Sequence, residues 1–230
     1  SLLVSWPKSV EGGRKVDDFV SLMDIAPTVL EAAGVELPEH MLAKSFMNLL
    51  KSGESGIVEP ERDHVIIGRE RHVGQSQRDR EPYASRAIRT ADFLLIRNFK
   101  PERLPMGVVY DENASAGDLL QNHYLAYSDM DASPTKVFLM TNRESHSEYY
   151  DYAFAARPEF ELYDLRNDPD QVNNVASSPE YATRLEELTD RMMQILEETG
   201  DPRVIGDGKA FDRMPYVCLL YTSPSPRDRH

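Results

Sequence analysis

Ala84-Ser85-Arg86-Ala87-Ile88-Arg89-Thr90-Ala91-Asp92-Phe93-Leu94-Leu95-Ile96-Arg97-Asn98 decides how this chain folds. Residues 84–89 and 93–98 each read as a strand, and Thr90-Ala91-Asp92 is long enough only for a reversal, so the two form an antiparallel hairpin. Two more segments share this character. His64-Val65-Ile66-Ile67-Gly68-Arg69-Glu70-Arg71 precedes the hairpin, and Phe160-Glu161-Leu162-Tyr163-Asp164 follows it, closed by the turn-forming Asn167-Asp168-Pro169-Asp170. The sheet is therefore built from segments far apart in the chain. Its cover is the most strongly patterned stretch. Ser178 caps and Pro179 stands at N1. Tyr181, Leu185, Leu188, Met192, Ile195 and Leu196 follow a 3.6-residue period, and Gly200 stops the helix, which is expected to lie on the sheet.

Upstream, Leu2-Leu3-Val4-Ser5-Trp6-Pro7 reads as a buried strand entered at its middle, so sequence before Ser1 is expected to be missing. Asp24 begins a helix that ends at Gly34, with Asp24 accepting from first-turn amides and Ile25, Val29, Leu30 and Ala33 as its buried stripe. A short helix is expected over Ser45 to Lys51, and the flexible crossing Lys51 to Gly56 marks a subdomain boundary. Residues 101–158 are polar, interrupted by proline and glycine, and read as a long loop, functional or wrapped over a partner surface.

A chain of 230 residues with 40% hydrophobic residues can bury a substantial core. Its formal net charge of −13 opposes binding to phosphate backbones, so nucleic acid is not an expected partner. No apolar run approaches the roughly 18 residues of a membrane span, and the first residues lack the pattern of a signal peptide. The single cysteine, Cys218, lies in 218–230, which reads as a translated sequencing adaptor and hence as a non-native tail. Without it there is neither a thiol nucleophile nor a disulfide.

Self-contained catalytic motifs are missing: no Gly-rich phosphate loop, no G-x-S-x-G and no H-E-x-x-H. No catalytic or metal-binding residue is assigned. Asp17-Asp18 reads as a solvated turn. Asp129 and Asp131 have the alternate spacing of a cation loop, but Ser133 and Pro134 stand where a third ligand and a glycine belong. One cluster remains. Arg69, Glu70, Arg71 and His72 end a strand at the Val73-Gly74 turn, where guanidinium groups can grip an anion and a carboxylate can accept from hydroxyls. The same residues also fit a plain charge ladder on an exposed strand. Arg86 and Arg89 read as sheet-face charges or as ion-pair partners of Glu70 and Asp92.

Leu2 to Pro7 together with Val20-Ser21-Leu22-Met23-Asp24-Ile25-Ala26-Pro27-Thr28-Val29-Leu30-Glu31-Ala32-Ala33-Gly34 resemble the C-terminal half of formylglycine-dependent sulfatases. So do Glu161-Leu162-Tyr163-Asp164-Leu165, Asp168-Pro169 and Asn173-Asn174-Val175-Ala176. Gly68 to His72, Arg86 to Thr90, Ile96 to Phe99 and Asp201-Pro202-Arg203 are similar to the heparan N-sulfatase (sulfamidase)-like branch. The resemblance implies an α/β, alkaline-phosphatase-like sulfatase. Residues 1–58 would be the end of the α/β core, and 59–217 a C-terminal subdomain with a four-stranded antiparallel sheet and a long C-terminal helix. It implies hydrolysis of sulfate esters or sulfamates on a glycan, with calcium and formylglycine as cofactors held by an N-terminal core preceding Ser1. It also promotes Arg69, Glu70, Arg71 and His72 to substrate contacts. Such enzymes are exported, which implies a periplasmic, secreted or lysosome-like location. Alternatives are a non-catalytic carbohydrate-binding or interaction module and the C-terminal part of a related phosphodiesterase.

Overall fold

A computed structural model describes residues 2–70, 72–74, 76–79 and 81–213. They fall into two compact units, one running to Ile66 and including Ile88–Asp92, the other formed by Ile67–Ala87 and the chain from Phe93. Among the described residues no helix is long and apolar enough to cross a membrane. The expected tail at 218–230 lies outside them.

In the first unit, Leu2 to Pro7 forms no strand and Leu3 is exposed, which corrects the sequence reading. An extended segment gains ladder bonds only from a neighbour, and no described residue pairs with this one. A 3-10 turn, Leu22–Asp24, leads into helix α1, Ile25–Ala32, and Gly34 turns the chain out at φ 69°. Asp24 does not cap α1. Its carboxylate accepts from the Ser21 N–H at 3.2 Å, from the Lys44 N–H at 3.0 Å and from Arg62 at 3.0 Å. The expected stripe is also wrong, since Pro27 and Thr28 are buried while Val29 and Ala33 are exposed. Thr28 explains this, because its hydroxyl donates to the Asp24 carbonyl and accepts from the Phe46 N–H, turning that face inward. Helix α2, Met47–Lys51, follows directly. Asp18 is likewise buried rather than solvated, and accepts from the Val58 and Glu59 N–H groups at 2.8 and 2.6 Å.

Strands β1 (His64–Arg69), β2 (Ser85–Thr90), β3 (Phe93–Asn98) and β4 (Phe160–Asp164) form a four-stranded antiparallel sheet in sequence order. The β3–β4 register sets Leu95 opposite Leu162, both with no exposed surface. Just past β4, Arg166 holds the Asp164 carboxyl well below the usual carboxylate range, aided by Asn167 and Tyr181. A 3-10 turn, Pro179–Tyr181, opens the C-terminal helix, and the Ser178 side chain makes no capping bond there.

Residues 101–158 correct the loop reading. They hold α3 (Ala116–Gln121), α4 (Pro134–Thr141) and α5 (Ser147–Phe154), packed around Leu119, Ala126, Tyr127, Val137 and Phe154. Each helix is six or eight residues long, too short to display a periodic pattern, and their caps at Ser115 and Ser133 carry the local signal. The Tyr127 ring stacks on Phe154 at 4.3 Å. Helix α6, Ala182–Glu198, then buries Leu188, Met192 and Leu196 and packs on β3. Short helices α7 (Pro202–Ile205) and α8 (Lys209–Arg213) complete the described chain. Met192→Ala is expected to destabilise the protein by about 2–5 kcal/mol, whereas Glu186→Ala on the exposed face should stay within about 0.5 kcal/mol, as read by urea unfolding.

Candidate functional site

The end of β1 is held by two separate clamps. In the first, the Arg69 guanidinium donates to Asp129 and to the Pro105 carbonyl. The other Asp129 oxygen accepts from the Val73 N–H at 2.8 Å, and the carboxylate is almost fully buried. A single side chain thus fixes both sides of the turn after β1. The segment bearing Asp129 is itself braced by Lys136, 1% exposed, whose ammonium donates to the Tyr127 and Met130 carbonyls at 2.9 and 2.7 Å. Burial pushes the Lys136 amine down to about 8, against the pull of Asp131.

In the second clamp, Glu70 lies between two arginines. It accepts from Arg86 of β2 at 2.7 Å and from Arg203 of α7 at 2.6 Å. Arg86 also donates to Asp201 at 2.7 Å, and Arg203 to Asp212 at 2.8 Å. Asp201 caps α7 by accepting from the Arg203 N–H. Burial alone would lower both guanidinium groups, but their carboxylate bonds outweigh it and raise them. Both lie over the Phe211 ring, at 5.8 and 5.6 Å. Gly208 makes room for this arrangement, since its φ is +68° and a Cβ there would stand 2.5 Å from the Arg203 guanidinium.

The structure therefore brings Arg69 and Glu70 into internal contacts. His72 projects outward with its side chain 74% exposed, and its Nδ1 lies 3.6 Å from Asp129. Arg71 lies outside the described residues. Of the two readings offered for Arg86, the structure shows the ion pair with Glu70, while Arg89 donates to the Thr90 and Ala91 carbonyls and lies 5.9 Å from the Phe19 ring centroid. Sequence reasoning missed Asp129, Lys136, Asp201 and Asp212 as parts of these clamps. The separation of Arg86 from Asp201, 115 residues, leaves no spacing to read. The one local signal is Asp201-Pro202, an N-cap followed by an N1 proline.

Residues 1–103 match the family described as N-sulphoglucosamine sulphohydrolase, C-terminal. Across nearly the whole chain, similarity extends to human N-sulphoglucosamine sulphohydrolase (27% identity, 94% of this chain and 40% of that protein). It extends equally to an ulvan-active sulfatase of Formosa agariphila (24% identity, 93% and 31%). The chain is thus similar over nearly its whole length to sulfatases. It spans well under half the length of these relatives. Solved structures agree in fold. One protein, in complex with its substrate D-glucosamine-2-N,6-O-disulfate, superposes with a TM-score of 0.53 at 20% identity, covering 86% of this chain and 28% of its own. A Bacteroides fragilis protein assigned as a sulfatase gives 0.50 at 16% identity, covering 91% and 30%. The chain thus matches part of the fold of these structures, as the resemblance implied.

Sulfatases typically use a metal and formylglycine, and the residues here do not fit either group. No three His, Cys, Asp or Glu side chains stand together as a metal site among the described residues. Asp129 is occupied by Arg69 and Val73, and the sequence has no C/S-x-P-x-R motif.

Three outcomes test the clamps. Arg203→Met leaves Glu70 and Asp212 without their shared cation and should cost about 3–5 kcal/mol in urea unfolding. A Glu70→Ala, Arg203→Ala double-mutant cycle should show coupling of about 1–3 kcal/mol. For Lys136 the folded value lies below the ordinary 10.5, so the unfolded chain binds more protons between about pH 8 and 10. Stability should therefore rise with pH in that window, by at most about 1.4 kcal/mol per pH unit, and Lys136→Met should abolish that part of the slope.

Proposed function

We propose that this chain forms the C-terminal part of an enzyme hydrolysing sulfate esters or sulfamates on a glycan, such as a heparan-type glycosaminoglycan. The observation that carries the reading is the extent of the homology, since relatives named for ulvan and for N-sulphoglucosamine align over 93% and 94% of the chain. The nucleophile and calcium site would reside in a separate N-terminal core, because the residues here fit neither. The first unit exposes Leu3, Leu22, Met23, Val29, Leu42 and Ile57, apolar side chains that such a core would cover. We place the parent enzyme in a periplasmic, secreted or lysosome-like compartment.

At the strand end, we assign Arg71 and His72 to substrate contact, with Arg69 and Glu70 reaching the substrate through the backbone they hold. The exposure of His72 on a turn pinned by Asp129 supports this division, because a fixed backbone orients a side chain without further loss of entropy on binding.

The test joins the chain to a sulfatase core. Arg71→Ala and His72→Ala should each lower kcat/KM on a sulfated glycan by roughly ten- to a hundredfold, the loss of one charged hydrogen bond. A small aryl sulfate, which does not reach the sugar-binding wall, should be hydrolysed almost as before. Equal loss on both substrates, or none on the glycan, rejects the assignment. The chain by itself should release no sulfate, and calcium-dependent turnover by it would reject the division of labour.

A further inference from the structure

A concavity lies in the α3–α5 region, lined by side chains that neither clamp uses. It holds about 240 Å³, and its lining includes Leu119, Tyr127 and Tyr150. Asp111, Glu112 and Arg143 line it as well. That volume is below the roughly 300–1,000 Å³ of drug-sized sites, which leaves room for one small ring rather than an oligosaccharide.

The polar groups are placed with unused capacity. Arg143 lies 5.6 Å from the Tyr150 ring centroid and makes no ion pair among the described residues, although two carboxylates line the same cavity. Glu112 makes no ion pair or hydrogen bond among them either. The Tyr127 and Tyr150 hydroxyls are 2.5 Å apart. Whichever of them donates, the other keeps a proton to give. The cavity therefore offers guanidinium donors, one phenolic donor and carboxylate acceptors alongside aromatic and aliphatic side chains. A bare anion satisfies Arg143 but is repelled by Asp111 and Glu112, and a cation meets the reverse conflict. A ring carrying several hydroxyls and one anionic group satisfies all of them, the hydroxyls donating to the carboxylates and the anion accepting from Arg143.

We infer that this cavity binds a single anionic sugar unit, a pyranose bearing a carboxylate or a sulfate. The choice of a sugar rests on the glycan reading above, whereas the cavity and its unused donors and acceptors do not. An α-amino acid offers the same pair of charges, but its ammonium would gain little from solvent-exposed carboxylates, which suit hydroxyl donors at lower desolvation cost.

The experiment is titration of the 230-residue chain, followed by NMR or calorimetry, with D-glucuronate, D-glucosamine 6-sulfate, D-glucose, sodium sulfate and glycine. At least one anionic sugar should bind ten times more tightly than D-glucose and ten times more tightly than sulfate or glycine. Arg143→Gln should erase the preference over D-glucose. Tyr150→Phe, which keeps the ring, should weaken binding several-fold with the melting temperature unchanged. Sulfate or glycine binding as tightly as the sugars, no sugar binding, or an Arg143→Gln variant that binds like the parent would each overturn the proposal. Because this readout needs no turnover, it separates the cavity from the strand-end reading. Failure of the Arg71 and His72 variants to affect glycan hydrolysis would leave the binding result standing.

Discussion

Glu70 receives hydrogen bonds from two arginines that are themselves almost wholly buried, and the arrangement around the end of β1 depends on that convergence. A guanidinium withdrawn from water is tolerated only when its donors find acceptors. Arg86 therefore requires Asp201 as well as Glu70, and Arg203 requires Asp212 as well as Glu70. The consequence is structural. One carboxylate following β1 joins β2 to the short helices that follow α6, and Phe211 covers both cations with an aromatic ring.

The neighbouring clamp works by a different balance. Asp129 gives one oxygen to a side chain and the other to a backbone N–H, so it fixes the turn as well as neutralising Arg69. Its own position is set by Lys136, an ammonium that donates to two carbonyl oxygens rather than to a carboxylate. Carbonyl dipoles compensate burial less completely than a charge does, which is why the amine is pushed down while the two arginines beside Glu70 are pushed up. The region from 101 to 158 thereby acts as a scaffold for the strand end and also forms a cavity of its own.

On the proposed reading of the strand end as a glycan contact, this rigidity has a use. A glycan carries many hydroxyls and repeated charges, so discrimination depends on where a few side chains stand more than on how strongly any one binds. A turn pinned on both sides holds His72 in place without committing its side chain to the interior.

The sheet and the covering helix were legible in the amino-acid order because each is a continuous segment whose pattern repeats every two or every 3.6 residues. The hairpin at 84–98, the strand at Phe160 to Asp164 and the stripe of Leu188, Met192 and Leu196 appear where that pattern places them. Local pattern also offered Glu70 as one of two readings for Arg86, and the two pair. It misplaced the inward face of α1, because Thr28 and Asp24 turn inward to bond backbone groups and not to bury carbon. It missed the helices between 101 and 158, whose six to eight residues are too few to repeat a pattern. Only the tertiary structure decided that Asp129, Asp201, Arg203 and Asp212 complete the charges at the end of β1. Those partners lie 60 to 133 residues away from the strand-end residues or from Arg86, apart from the pairing of Arg203 with Asp212, and which acid meets which base depends on where the folded chain crosses itself.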